Sequence, residues 1–107
     1  MRLEPSNSVV LTVTTSSVIS KRNCILMGVT LNATTASATV SLYDPPWFIA
    51  ETGTPTTTGA TLRYSGAIAA LGTSMTDPDA NGIQFLNGCV AVVAGTGATA
   101  VIKWAVI

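Results

Sequence analysis

Histidine is absent from this chain of 107 residues, and charge of either sign is scarce: five Lys+Arg, five Asp+Glu, a formal net charge of zero. Without histidine there is no usual general base, no imidazole ligand for a metal and no Ser-His-Asp arrangement. Nor can an imidazole activate Cys24 or Cys89 as a nucleophile. Five cations balanced by five anions cannot build the basic stripe that holds a nucleic acid, so no such partner is expected. The carboxylates are Glu4, Asp44, Glu51, Asp77 and Asp79, all in predicted turns or the N-terminal arm, where acids are ordinarily solvated. The chain therefore reads as no enzyme, with no catalytic residue, cofactor or bound metal.

Two cysteines are too few for the disulfide framework of a small secreted domain. Cys24 and Cys89 read as small buried apolar residues, and spacing alone does not show whether they meet. The start, Met1-Arg2-Leu3-Glu4-Pro5, has no apolar core behind a basic lead and is not a signal peptide. A long uncharged stretch runs from Ala80 to Ile102, but Asn81, Gly82, Gln84, Asn87, Gly88, Gly95, Thr96, Gly97 and Thr99 break it. A bilayer helix needs about 20 mostly apolar residues in a row, so this stretch reads as strands and no membrane partner is expected.

The scarcity of charge also bears on the surface. At the usual share of about 25 % charged residues, about 27 would be expected in a domain this long. A folded monomer of this size exposes roughly 5,600 Å², or about 560 Å² for each charge. Soluble monomers keep their surfaces laced with charge. Much of this surface is therefore expected to be covered by partners.

What the chain does contain is Val, Ile and Thr, whose branched side chains suit a pleated surface. Apolar residues alternate with period two: Val9, Leu11 and Val13 against Val10, Thr12 and Thr14, and Ala38, Val40 and Leu42 against Thr39, Ser41 and Tyr43. The same spacing puts Ile25, Met27, Val29 and Leu31 on one face. It sets Leu62, Tyr64 and Ile68 against Arg63, Ser65 and Ala67, with a bend at Gly66. Further strands are predicted over 83–86, 89–94 and 98–107, joined by Asn87-Gly88 and Gly95-Thr96-Gly97 into a three-strand meander. The sum is an all-β, single-domain antiparallel β-sandwich or jelly roll of about 7–8 short strands. Residues 1–8 form a flexible polar arm and 9–107 the sandwich domain, with no second domain or internal repeat.

Several motifs fail on inspection. Asp77-Pro78-Asp79-Ala80-Asn81-Gly82 opens like a calcium loop, but Gly88 stands where that loop needs a bidentate Glu and no helix flanks it. Cys24, Trp47 and Cys89 do not match an immunoglobulin domain, because Trp47 lies too far along and Asn87 replaces the expected tyrosine. Asn32-Ala33-Thr34 is a formal glycosylation sequon read as chance. Asp44-Pro45-Pro46 reads as a turn leading to Trp47-Phe48-Ile49, which is either a core plug or an anchor that enters a neighbouring subunit. Beyond it, 51–59 reads as a long exposed loop. Trp104 reads as core with Ile102 and Val106. The candidate partner contacts are Arg2, Leu3, Glu4 and Pro5 in the arm together with Trp47, Phe48 and Ile49. The apolar end, Ala105-Val106-Ile107, suggests a protected edge.

The run from Asp79 to Ile102, with Asn87-Gly88-Cys89-Val90 and Ala94-Gly95-Thr96-Gly97, resembles the C-terminal hairpins of small all-β virion proteins of tailed bacteriophages. Val40-Ser41-Leu42-Tyr43-Asp44 fits the same style, although Pro45-Pro46-Trp47 follows where such proteins commonly have glycine. The resemblance implies a non-enzymatic virion subunit of capsid cement or decoration type, a homo-oligomer and typically a trimer. It would contact the major capsid protein or another virion protein and clamp neighbouring capsid subunits. Such a chain is made in the host bacterial cytoplasm, where both cysteines are expected to stay reduced. A tail, adaptor or fibre-base component is the nearest alternative. A carbohydrate- or cell-surface-binding sandwich, with Tyr43 and Trp47 stacking on sugar and Asp77, Asp79 and Asn81 holding calcium, is the outside one.

Overall fold

A computed structural model describes residues 8–46, 53–70, 74–77 and 82–106. Among them are nine strands: β1 (Ser8–Val13), β2 (Ser16–Ser20), β3 (Cys24–Asn32), β4 (Ala38–Asp44), β5 (Thr61–Ile68), β6 (Ser74–Asp77), β7 (Ile83–Phe85), β8 (Cys89–Ala94) and β9 (Thr99–Val106). No helix long and apolar enough to cross a membrane occurs among these residues.

The strands make two antiparallel sheets. One runs β1-β9-β3-β6, with β7 also on β3, and the other runs β2-β8-β4-β5. Strands β6 and β7 share one side of β3 end to end, β7 against Cys24 to Leu26 and β6 against Val29 to Asn32. Nine strands therefore fill eight positions, four in each sheet. The chain changes sheets at nearly every connection, which is the double-sheet jelly roll.

The last three strands are not a meander. β7 pairs with β3, β8 with β2 and β4, and β9 with β1 and β3. Asn87-Gly88 and Gly95-Thr96-Gly97 are thus corners between sheets, not hairpin turns within one. The reason for glycine at the second corner is steric. Gly95 has φ of 120°, and a Cβ there would lie 2.5 Å from the Ser37 carbonyl oxygen of the β3–β4 corner. A Cβ on Gly97 would lie 2.6 Å from Thr34 Oγ1, whose hydroxyl donates to the Thr96 carbonyl at 2.6 Å. The two corners lie one on the other, and side chains would force them apart.

The core lies between the sheets. Leu26, Val29, Leu31, Phe85, Ala100, Ile102 and Trp104 come from one side, and Ile19, Val40, Leu42, Tyr64, Ala91 and Val93 from the other. In β4 the inward set is the expected Ala38, Val40 and Leu42. In β3 the expected face is corrected: Cys24 and Leu26 point inward before Met27, and Val29 and Leu31 after it. Leu26 pairs with Trp104 and Gly28 with Lys103, so Met27 is the extra residue of a bulge. A bulge inserts one residue and inverts the side-chain phase beyond it. Ile25 and Met27 are consequently only half-buried.

β5 shows the same effect. Tyr43 pairs with Leu62 and Leu42 with Tyr64, leaving Arg63 as the inserted residue. Tyr64 enters the core, whereas Leu62 is 50 % exposed. Pairing continues through Gly66 opposite Val40, so the ladder runs on unbroken where the sequence suggested a bend. Met75 and Tyr64 occupy the space above Gly66, since a Cβ there would lie 2.8 Å from Met75 Cε. Strands β2 and β6 have no apolar alternation long enough to mark them, and they were not apparent from the sequence. The side chains of β1, and the arm ahead of it, lie outside the described residues.

Candidate functional site

The chemistry-bearing groups gather at one end of the sandwich. Asp44 is the last residue of β4 and keeps the inward phase of Val40 and Leu42, so its carboxylate closes the end of the core. Its side chain is buried, which corrects the reading of every acid as a solvated turn residue. The corner between β7 and β8 explains the burial. Its backbone N–H groups at Leu86 and Asn87 donate to Asp44 Oδ2 at 2.9 Å and Oδ1 at 3.0 Å. One carboxylate thereby joins the end of β4 in one sheet to the strand leaving the other. The β5 bulge brings Arg63 Nη2 to 3.5 Å from Oδ2. The arginine side chain is 38 % exposed, so solvent screens this pair, and the two backbone bonds hold the acid more firmly.

Cys24 and Cys89 lie at the same end of the sandwich, both buried and both free thiols. Cys24 opens β3 and Cys89 opens β8. Burial pushes the Cys24 thiol up to about 11, opposed by a hydrogen bond to the Ser20 side chain and assisted by the Asp44 charge. Burial raises the Cys89 thiol as well, with smaller contributions from Cys24 and Asp44. These are inert, protonated groups at neutral pH, consistent with the small-apolar-residue reading of each. Among the described residues, no group of three or more His, Cys, Asp or Glu is arranged to hold a metal.

The raised thiol has a consequence for alkaline stability. Between the ordinary value of 9.0 and the folded value of about 11, the unfolded chain releases a proton that the folded chain keeps. The unfolded state then binds fewer protons, so stability is complete below pH 9 and falls as pH rises toward 11. Cys24 alone should contribute a loss of about 2 kcal/mol by pH 10.5. Denaturant midpoints at pH 8 and pH 10.5 measure it, and Cys24→Ala should show the smaller decline. Equal declines in the two proteins would contradict this assignment.

The surface around the site carries two large exposed apolar side chains, the two found among the described residues, Leu62 at 50 % and Leu86 at 55 % exposure. Leu62 precedes Arg63, and Leu86 donates its N–H to Asp44, so both border the same ion pair. From Asp44 the chain passes through buried Pro45 and half-buried Pro46 toward Trp47. The returning loop covers this exit, with Gly59 against Pro46 and Gly53 against Lys21. No cavity opens among the described residues.

Of the sequence-derived contact residues, Arg2, Leu3, Glu4, Pro5, Trp47, Phe48 and Ile49 all lie outside the described residues. So does most of the Asp77–Gly82 stretch, of which Asp77 ends β6 and Gly82 has φ of 95°. Asn32 is half-buried, with its amide donating to Thr99 Oγ1 at 3.3 Å. Trp104 and Ile102 are in the core as expected. The sequence reading missed the cluster of Asp44, Arg63 and the 86–87 backbone. The signal was present in the alternation of Val40, Leu42 and Asp44, but the following Pro45-Pro46 made Asp44 look like part of a turn.

No family model and no curated protein matches the chain. Among solved structures, a crystal structure of PirA is 14 % identical with a TM-score of 0.39, covering 98 % of this chain and 97 % of that one. A crystal structure of the T13 IBDV viral particle is 13 % identical with a TM-score of 0.24, covering 97 % of this chain and 31 % of that one. At these scores neither likeness carries an argument about function, and the jelly roll rests on the chain's own strand ladders.

Proposed function

We propose that this chain is a non-enzymatic structural subunit of a phage virion, a trimeric cement or decoration protein that clamps neighbouring capsid subunits. The observation that carries the reading is the chemistry of the outer strands. Sandwiches that live as monomers guard their edges with charge, proline or bulges. Here β1 and β2 hold no charged residue, β5 holds only Arg63 and β6 only Asp77, and none of the four contains proline. β2 and β5 carry bulges, whereas β1 pairs with β9 over six consecutive residues without one. An uncharged, regular edge that continues the N-terminal arm suits strand addition by a neighbouring subunit.

The fold adds support by analogy only, since double-sheet jelly rolls serve viral capsid and lectin domains alike. The resemblance of the 79–102 run and of Val40-Ser41-Leu42-Tyr43-Asp44 to phage virion proteins favours the first. In such a clamp each contact is modest, about 800 Å² per partner, and repetition over the shell supplies avidity.

Native mass by size-exclusion chromatography with light scattering is the first test. The expected result is a closed oligomer, a trimer of 10.9 kDa subunits, that binds empty capsid shells stoichiometrically and raises their stability. A monomer that ignores shells at high concentration would overturn the proposal. Retention of that monomer on a sugar matrix would favour the carbohydrate-binding alternative.

A further inference from the structure

We infer that Asn87-Gly88 is a self-modifying site, where the chain's own backbone converts Asn87 to aspartate and isoaspartate and so loosens the corner that Asp44 holds. The chemistry needs an asparagine whose side-chain amide is free to turn toward the next backbone nitrogen. It also needs a following residue that leaves that nitrogen uncovered. The asparagines of the chain are Asn7, Asn23, Asn32, Asn81 and Asn87, and Asn7 and Asn81 lie outside the described residues. Asn23 precedes Cys24, and its side-chain oxygen accepts from Gln84 Nε2 at 3.3 Å. Asn32 precedes Ala33 at the end of β3, and its amide donates to Thr99 Oγ1 at 3.3 Å. Both amides are held.

Asn87 differs on each count. It is exposed, it stands in the corner between β7 and β8, and its side chain makes no hydrogen bond among the described residues. Gly88 follows with φ of 144°, a backbone conformation that favours glycine, so no Cβ shields its nitrogen. The Leu86 and Asn87 N–H groups are committed to the Asp44 carboxylate. The next one, of Gly88, has no hydrogen-bond partner among the described residues.

The reaction balances with water as its only co-reactant. The Gly88 nitrogen gives up its proton and attacks the side-chain carbonyl carbon of Asn87, closing a cyclic imide and releasing ammonia. Water then opens one of the two C–N bonds of the imide. One opening leaves aspartate. The other leaves isoaspartate, in which the chain runs through the side-chain carbon and gains one backbone atom. Either product places a new carboxylate two or three bonds from the Asn87 nitrogen, the atom whose N–H Asp44 Oδ1 already accepts at 3.0 Å. Two like charges then stand together at a buried acid, which costs stability. The change is also easy to see, because one added carboxylate takes the formal net charge from zero to −1. This inference is independent of the virion reading.

The test ages the full folded chain at mildly alkaline pH and follows it by isoelectric focusing and peptide mapping. Expected is an acidic species heavier by about one mass unit, with an isoaspartyl linkage at residue 87 and with Asn23 and Asn32 intact. Once separated, that species should melt about 5 °C below the parent. Asn87→Gln closes the corresponding imide poorly, because its ring would be one atom larger, and should show no change at residue 87. Asn87→Asp should reproduce the lower melting temperature without ageing. An Asn87 still intact in the folded chain after the urea-unfolded chain has been modified would overturn the inference, since the fold would then keep the amide from Gly88. So would an acidic species, or Asn87→Asp, that melts with the parent, because the new charge would then not reach Asp44.

Discussion

Phe85→Ala should lower stability by about 4 kcal/mol, the range measured for truncating a fully buried phenylalanine. Phe85 ends a strand of three residues, β7, and is completely buried. A strand this short has little ladder to hold it. β7 is held through Cys24 to Leu26 of β3 and through the insertion of this one ring into the core. Removing the ring leaves a cavity in the core beside Cys24, its register partner in β3. For a domain of about 100 residues the loss corresponds to a fall of about 15 °C in melting temperature. Leu86→Ala, one residue along, is the control. Leu86 is more than half exposed, so the change should stay within about 0.5 kcal/mol. Chemical denaturation of both variants checks the pair, and similar costs at the two positions would contradict the packing described here.

Asp44→Ala is the second large effect, a loss of about 3 kcal/mol. Hydrogen bonds to a charged acceptor contribute about 1.5–3 kcal/mol each, and an abandoned buried group adds its desolvation. Two backbone donors would lose their acceptor at once. Water reaches the exposed Leu86 and Asn87 corner and recovers part of the loss, which keeps the figure near the lower end. The arginine supplies the discriminating comparison. Arg63→Ala removes an ion pair of 3.5 Å with one solvent-exposed partner, worth under about 1 kcal/mol. Asp44→Asn should behave more like the alanine variant, because its amide nitrogen would face one of the two N–H groups. If Arg63→Ala proved as costly as Asp44→Ala, the ion pair and not the corner would be what the acid holds. The same variants also bear on assembly, since Leu62 and Leu86 border this pair and would shift with it.

Much of the fold was legible in the residues because period-two alternation depends on local chemistry alone. The strands around Val40 and Ile102 fall where apolar side chains alternate, the one around Val92 is a short uncharged apolar run between turns, and the glycines fall where the chain turns. The all-β class follows from that, and so does the burial of Leu42, Ile102 and Trp104. The bulges at Met27 and Arg63 could not be read in the same way. A bulge is a mismatch between two strands, so no single strand's sequence announces it, and it inverts every side chain beyond. The short strands β2 and β6 lacked a pattern because each is held mainly by its neighbours.

The turn residues illustrate the division most directly. Asn87-Gly88 and Gly95-Thr96-Gly97 determined by themselves that the chain would reverse there, since glycine accepts positive φ without a steric cost. Whether the next strand joined the same sheet or crossed to the other was decided by what lay opposite. Gly95 and Gly97 had to clear Ser37 and Thr34 of a distant corner. Likewise, the sequence alone determined that Asp44 stood in phase with Val40 and Leu42. Only the tertiary structure supplied the Leu86 and Asn87 donors, 42 and 43 residues away, that make a buried carboxylate stable. Contacts between residues far apart in the chain have no local signature, and they decide where this acid sits.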